Sequence, residues 1–141
     1  MNNYNHLDLD KVKDLVCQYT SIKQASDYIQ NEEIIFNPLV IKSKLKDSEE
    51  ALNLLKKDFN LSFDGIVYIG DILVKASKDI CLDGYELANV LTFSNHCLRI
   101  KNRMSSLSDD LNIKGYSESL FIDEYLIKRI DKVVDINGNI K

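Results

Sequence analysis

The sequence predicts an all-α protein, a multi-helix bundle of about six helices, read as one helical domain over residues 1–141. Three observations carry this. The 141 residues hold one Pro and five separated Gly, too few turn formers for a β-rich fold. Apolar residues recur at three- and four-residue steps through almost every segment. The longest such pattern, in the eighties to the hundreds of the chain, also carries the best-marked helix start.

Taken in order, Leu9, Val12, Val16 and Tyr19 share one face of a first helix, with Asp8 and Asp10 near its positive end. Ser21 and Gln24 have capping-box spacing for a second helix, along which Ile22, Ala25 and Ile29 continue the apolar face to about Gln30. Asn31 to Phe36 reads as a linker. Asn37-Pro38 restarts the helix, an N-cap followed by Pro at the first helical position, and Ile41, Leu45, Ser48, Leu52, Leu55 and Phe59 carry it for about twenty residues. Asn60 to Ile66, with Asp64-Gly65, breaks it. Ile69, Ile72, Leu73 and Ala76 mark a short fourth helix.

The strut of the bundle follows. Asp83 is a good N-cap, Glu86 stands three residues on where it reaches back to the cap's backbone N–H, and Leu82 and Leu87 flank them as a hydrophobic staple. Leu87, Val90, Leu91, Ser94, Cys97, Leu98, Met104 and Leu107 form its stripe, giving a helix roughly 35 Å long. Gly115 to Ser117 reads as a turn. Ile122, Leu126, Ile130 and Val133 mark the last helix. Asn137-Gly138 either caps that helix or turns the chain into a short hairpin, with nothing after it to pair with.

Composition narrows the function classes. Hydrophobic residues at 45% and charged residues at 28% are those of an ordinary soluble domain. A net charge of -4 and a pI near 5.2 lack the basic footprint of autonomous nucleic-acid binding. No run of apolar residues is long enough to span a membrane, and Met1 to His6 lacks the layout of a secretory signal. Three widely spaced cysteines, Cys17, Cys81 and Cys97, point to reduced thiols in a cytoplasmic protein.

No catalytic, cofactor-binding or metal-ligating residue is assigned from the sequence. His96 and Cys97 are adjacent, but helix neighbours point about 100° apart and neither has a second Cys or His a turn away. Cys97 therefore reads as part of the apolar stripe and His96 as solvated; Cys17 and Cys81 read as small hydrophobes, and His6 as part of a frayed terminus. Asp135 to Asn139 has the outline of a calcium loop, yet with Gly138 at the sixth position the first ligand would be Val133. The separated glycines form no phosphate-cradling loop, which excludes a P-loop ATPase site within these residues. Arg99, Lys101 and Arg103 with Lys114 read as a solvated helix surface, because three alternating cations do not lie on one face.

Five short motifs, in order, resemble the N-terminal segment of the bacterial MutS-two family, paralogues of the MutS mismatch-repair ATPase. Leu7-Asp8-Leu9-Asp10-Lys11-Val12 is similar to its opening motif, and Ser48-Glu49-Glu50-Ala51 to the Glu-Ala element of its third helix. Phe63-Asp64-Gly65-Ile66 with Ile69 resembles its Phe-Gly-Gly-Ile loop, and Leu82-Asp83-Gly84-Tyr85-Glu86-Leu87 its Leu-Ser-Pro-Glu-Glu-Leu helix start. Ile130-Asp131 with Asn137-Gly138 resembles the Ile-Asp, then Gly, ending. Leu9 replaces an aromatic residue, Asp64 the first Gly, and Gly84 a Pro. The resemblance implies a helical core and lever segment that couples an ATPase to a clamp, without the ATPase and nuclease domains and with a last helix that lacks a docking partner. The implied partners are the remainder of a MutS-two-like protein or its homodimer, with DNA or the ribosome reached only through that assembly and no membrane. The parent family is associated with branched-DNA processing, suppression of recombination and rescue of collided ribosomes. The alternative is a stand-alone helical interaction module that binds another protein through the exposed stripe of its last helix. With no clustered titratable groups, an enzyme is the least supported class.

Overall fold

A computed structural model of the chain describes residues 8–141; the Leu7 end of the first motif, Met1 to His6 and the terminal reading of His6 lie outside the described residues. Among the described residues there are seven helices: α1 Leu9–Cys17, α2 Lys23–Asn31, α3 Pro38–Lys56, α4 Gly70–Ser77, α5 Gly84–Ser105, α6 Asn112–Glu118 and α7 Glu124–Asp131. The fold class is all-α. The chain divides into two compact units, Met1–Lys44 and Leu45–Lys141.

In the first unit α1 packs on α2. Lys13 Nζ donates to the carbonyls of Gln30 (2.8 Å) and Glu32 (2.7 Å), placing a cation where the last carbonyls of α2 carry partial negative charge. Gln30 Nε2 donates to Asp14 Oδ1 at 2.7 Å, and Thr20 Oγ1 to the Cys17 carbonyl at 2.8 Å. The expected capping box at Ser21 is absent: α2 starts from Ile22, which has no side chain able to cap. Asn37 does cap α3, accepting from Leu39 N at 3.0 Å.

The second unit is organised on α5. Asp83 Oδ1 accepts from Glu86 N (2.8 Å) and Glu86 Oε2 from Asp83 N (3.0 Å), closing the predicted capping box. Its 22 residues make a rod about 33 Å long. Leu91 of α5 meets Ile130 and Val134 in a small core, with Leu87, Val90 and Ile127 packed around it. The last helix is thus docked, contrary to the sequence expectation. Its inward residues are Ile127, Ile130 and the following Val134, while Leu126 and Val133 are exposed.

Two further corrections concern the C-terminal third. Gly115 to Ser117 is not a turn but the middle of α6, and Ser117 is buried. The helix is only 7 residues long and carries a Gly, so its periodicity is too short to register in the sequence. After α7 the hairpin alternative holds, and the chain does find something to pair with. Val134 and Ile140 form an isolated antiparallel bridge around a turn in which Asp135 N donates to Asn139 O (2.9 Å) and Gly138 N to Asp135 O (3.0 Å).

Candidate functional site

The informative surface of the second unit arises from how α3 is turned. Its sequence stripe predicts that Leu45, Ser48, Leu52 and Leu55 face a core. Instead, the polar flank is the one that packs. Glu50 is buried and its Oε2 accepts from Ile113 N at 3.1 Å, satisfying one of the open donors in the first turn of α6. Lys46 Nζ sits 3.5 Å from Glu50 Oε1 and donates to Asn112 Oδ1 at 3.1 Å, and Tyr116 Oη donates to Asp47 Oδ2 at 2.6 Å. With this side anchored, Leu45, Leu52 and Leu55 remain 66%, 51% and 57% exposed. Each forgoes about 1 kcal/mol of burial that a covering partner would supply.

Next to this exposed stripe runs an apolar groove of about 280 Å³, lined by Ala51, Leu54, Leu55, Phe59, Leu61, Phe63, Met104 and Ile113. Two turns shape it. Asp58 takes a left-handed conformation (φ 58°) where α3 ends, and Gly65 (φ 75°) closes the turn Phe63-Asp64-Gly65-Ile66 with a bond from Ile66 N to Phe63 O at 3.4 Å. Gly suits that positive φ, as the Asp64-Gly65 pair leads one to expect. Leu61 also lines an adjoining hollow of about 190 Å³ with Asn60, Ser62, Ile100, Arg99 and Arg103. Arg103 lies over the Phe59 ring, 4.4 Å from its centroid. The apolar groove therefore continues into a basic end.

Arg99 and Arg103 are four residues apart and share a helix face, which the alternating pattern of cations obscured. Lys101 points elsewhere, donating to the Leu120 carbonyl at 2.7 Å, and Lys114 donates to the Leu107 carbonyl at 3.0 Å and pairs with Asp109. Among the described residues no carboxylate lies within ion-pair distance of either arginine.

A separate polar cleft of about 330 Å³ is lined by Leu91, Thr92, Asn95, His96, Arg99, Asp131, Asp135, Ile136 and Lys141. Its two carboxylates already have partners. Lys141 pairs with Asp131 at 3.0 Å. Asp135 accepts from Asn137 N (2.8 Å), Asn139 N (2.9 Å) and Asn139 Nδ2 (3.0 Å), which holds its carboxyl below the usual range. The side chain that suggested a calcium ligand is spent on its own turn. His96 is half-buried rather than solvated. It shares a hydrogen bond with Arg99 and stands against Gly65, and burial, with the nearby Arg99 charge second, lowers its pKa. Cys97 is half-buried and burial pushes its thiol up; Cys17 is half-buried, with Sγ 3.6 Å from the Ser26 carbonyl; Cys81, read as a small hydrophobe, is exposed. Among the described residues no group of three or more His, Cys, Asp or Glu could hold a metal ion, and no helix is long and apolar enough to cross a membrane.

The groove and Glu50 were not assigned from the sequence. Leu52, Leu54 and Leu55 together make the apolar arc of α3 too wide for a single neighbour, which was the available signal. The buried acid had none, since Glu50 is one of several acids on that helix.

Among the described residues, the second unit thus combines an open apolar groove with a basic end. Comparison with known proteins finds the chain similar to a part of endonuclease MutS2 from several clostridia. It is 33% identical over 85 residues to the endonuclease MutS2 of Clostridium botulinum (strain Alaska E43 / Type E3), 28% over 108 residues to that of Clostridium novyi (strain NT), and 21% over 131 residues to that of Clostridium perfringens (strain SM101 / Type A). These alignments cover 60%, 77% and 91% of this chain but only 11%, 14% and 17% of the relatives. No family model and no solved structure matches it.

Proposed function

We propose that the chain acts as the N-terminal core and lever segment of a MutS2-like protein, a non-catalytic helical body whose work is to dock against the remainder of that protein and transmit its movements. The observation that carries this reading is the outward apolar face of α3. Leu45, Leu52 and Leu55 are left exposed because Asp47 and Glu50 are fixed inward, in a chain matching 11% to 17% of much larger relatives. The motif order and the absence of a phosphate-cradling loop in the sequence support the same role. DNA or the ribosome is then met by the assembled protein rather than by this acidic chain.

The test is reconstitution in trans. The purified chain is mixed with Clostridium botulinum MutS2 expressed without the segment that aligns with it. Co-elution in a defined ratio, with no ATP turnover by the chain alone, is the expected result. ATP hydrolysis or DNA cleavage by the pure chain overturns it, and so does a stable complex with an unrelated protein that forms in place of the MutS2 one.

A further inference from the structure

We propose that the groove between the end of α3 and α5 takes one amphipathic helix from outside this chain, bearing an apolar stripe and two carboxylates about one turn apart that pair with Arg99 and Arg103. This deepens the docking reading by naming the chemistry of the occupant, and it rests on that reading only in treating this face as a docking surface.

The apolar part fixes the shape of the guest. Leu55, Phe59, Leu61 and Phe63 form an open trough, and helix side chains at three- and four-residue steps fit such a trough as successive anchors. The basic end fixes its charge. Two arginines at i and i+4 repel each other on α5, and in a chain of net charge -4 neither has a carboxylate within ion-pair distance among the described residues. Arg103 is held in place by the Phe59 ring, which itself lines the trough, so a carboxylate there is met by a guanidinium already ordered. The i,i+4 spacing of the arginines matches acids one turn apart on a facing helix. A phosphate backbone is the poorer fit. It would draw on a broader set of cations, but Lys101 and Lys114 are turned to carbonyls of this unit, and the surface next to the arginines is apolar.

The experiment pans the full 141-residue chain against a phage-displayed library of helical peptides about 18 residues long, with a fixed leucine stripe and free flanking positions. The expected winners carry Asp or Glu one turn apart beside the stripe. Their Gln versions bind about tenfold more weakly, and the R99E/R103E variant, its fold checked by circular dichroism, selects Lys or Arg instead. Leu55→Asp removes binding of every winner. Four results overturn the proposal: no enrichment, enrichment without acids, a preference unchanged in R99E/R103E, or self-association of the chain that Leu55→Asp abolishes. A DNA duplex bound at physiological salt, with affinity lost in R99E/R103E, reassigns the arginines to phosphate and also overturns it. Failure here leaves the reconstitution with MutS2 free to succeed, so the two readings are separable.

Discussion

Gly84, the first residue of α5, stands against Gly138 of the C-terminal turn, backbone to backbone. A Cβ on Gly84 would run into the Gly138 carbonyl oxygen, and one on Gly138 would lie 2.6 Å from both Cα and N of Tyr85. The start of the central helix and the turn that follows α7 are thereby in direct contact, which ties the last residues of the chain to the first turn of α5.

Substitution at either glycine is therefore expected to destabilise. Gly138 has φ 82°, so Gly138→Ala adds left-handed strain to the steric clash and is expected to cost about 2–4 kcal/mol. Gly84→Ala is the sharper case, because helix propensity alone would make it stabilising by about 1 kcal/mol. A loss of about 1–3 kcal/mol in urea denaturation is expected for it; a gain would show that the two backbones are not in contact.

Glu50 gives a second expectation. Glu50→Ala removes the acceptor for Ile113 N and leaves that end of α6 open, costing about 1–3 kcal/mol. Glu50→Gln keeps an oxygen acceptor and is expected to lose less. Equal losses in the two variants would show that charge, and not the bond to α6, is what the site needs.

Acid should weaken the fold in two stages. The pKa of His96 is lowered by burial and by Arg99, so the unfolded chain protonates first, and this contribution is complete above about pH 6.5 and lost as pH falls through the native value. Glu86 is held low by Lys75 and then by the Asp83 backbone, and Asp135 by Asn139. Their contributions are complete above about pH 4 and fall away below it. Lys75, raised by Glu86, acts oppositely, stabilising below about pH 10.4 and ceasing to do so as pH rises past its native value. Denaturation midpoints measured across this range check the order, and His96→Gln is expected to remove the first stage alone.

Thiol labelling is expected to separate the cysteines. Exposed Cys81 should react with a maleimide first, and Cys97, half-buried with its thiol pushed up, should lag behind it at neutral pH. Mass spectrometry of a time course reads the sequence of events, and early modification of Cys97 would show that α5 opens there.

Much of the helical framework was legible because its signals are local. Asp83 with Glu86 and Asn37-Pro38 specify starts that need no tertiary partner, and the structure has both. Gly65 was readable as a turn for the same reason. What could not be read is which side of α3 is covered, since that depends on α6, a helix whose own 7 residues gave no pattern. The apolar stripe of α3 predicts burial, whereas the buried residue is Glu50. Likewise, the i,i+4 relation of Arg99 and Arg103 is in the sequence, but their place at the end of an apolar groove comes only from the turn that brings Phe59 and Leu61 to α5.

On the docking proposal, the outward face of α3 and the adjoining groove are the contact surface. Amide hydrogen exchange of the chain, alone and after mixing with Clostridium botulinum MutS2 lacking the aligned segment, tests it most directly. Slowed exchange confined to Leu45 through Phe63 and to the stretch of α5 around Arg99 and Arg103 is the expected result. Protection that spares α3 and falls on α7 would contradict it and place the contact on the last helix instead.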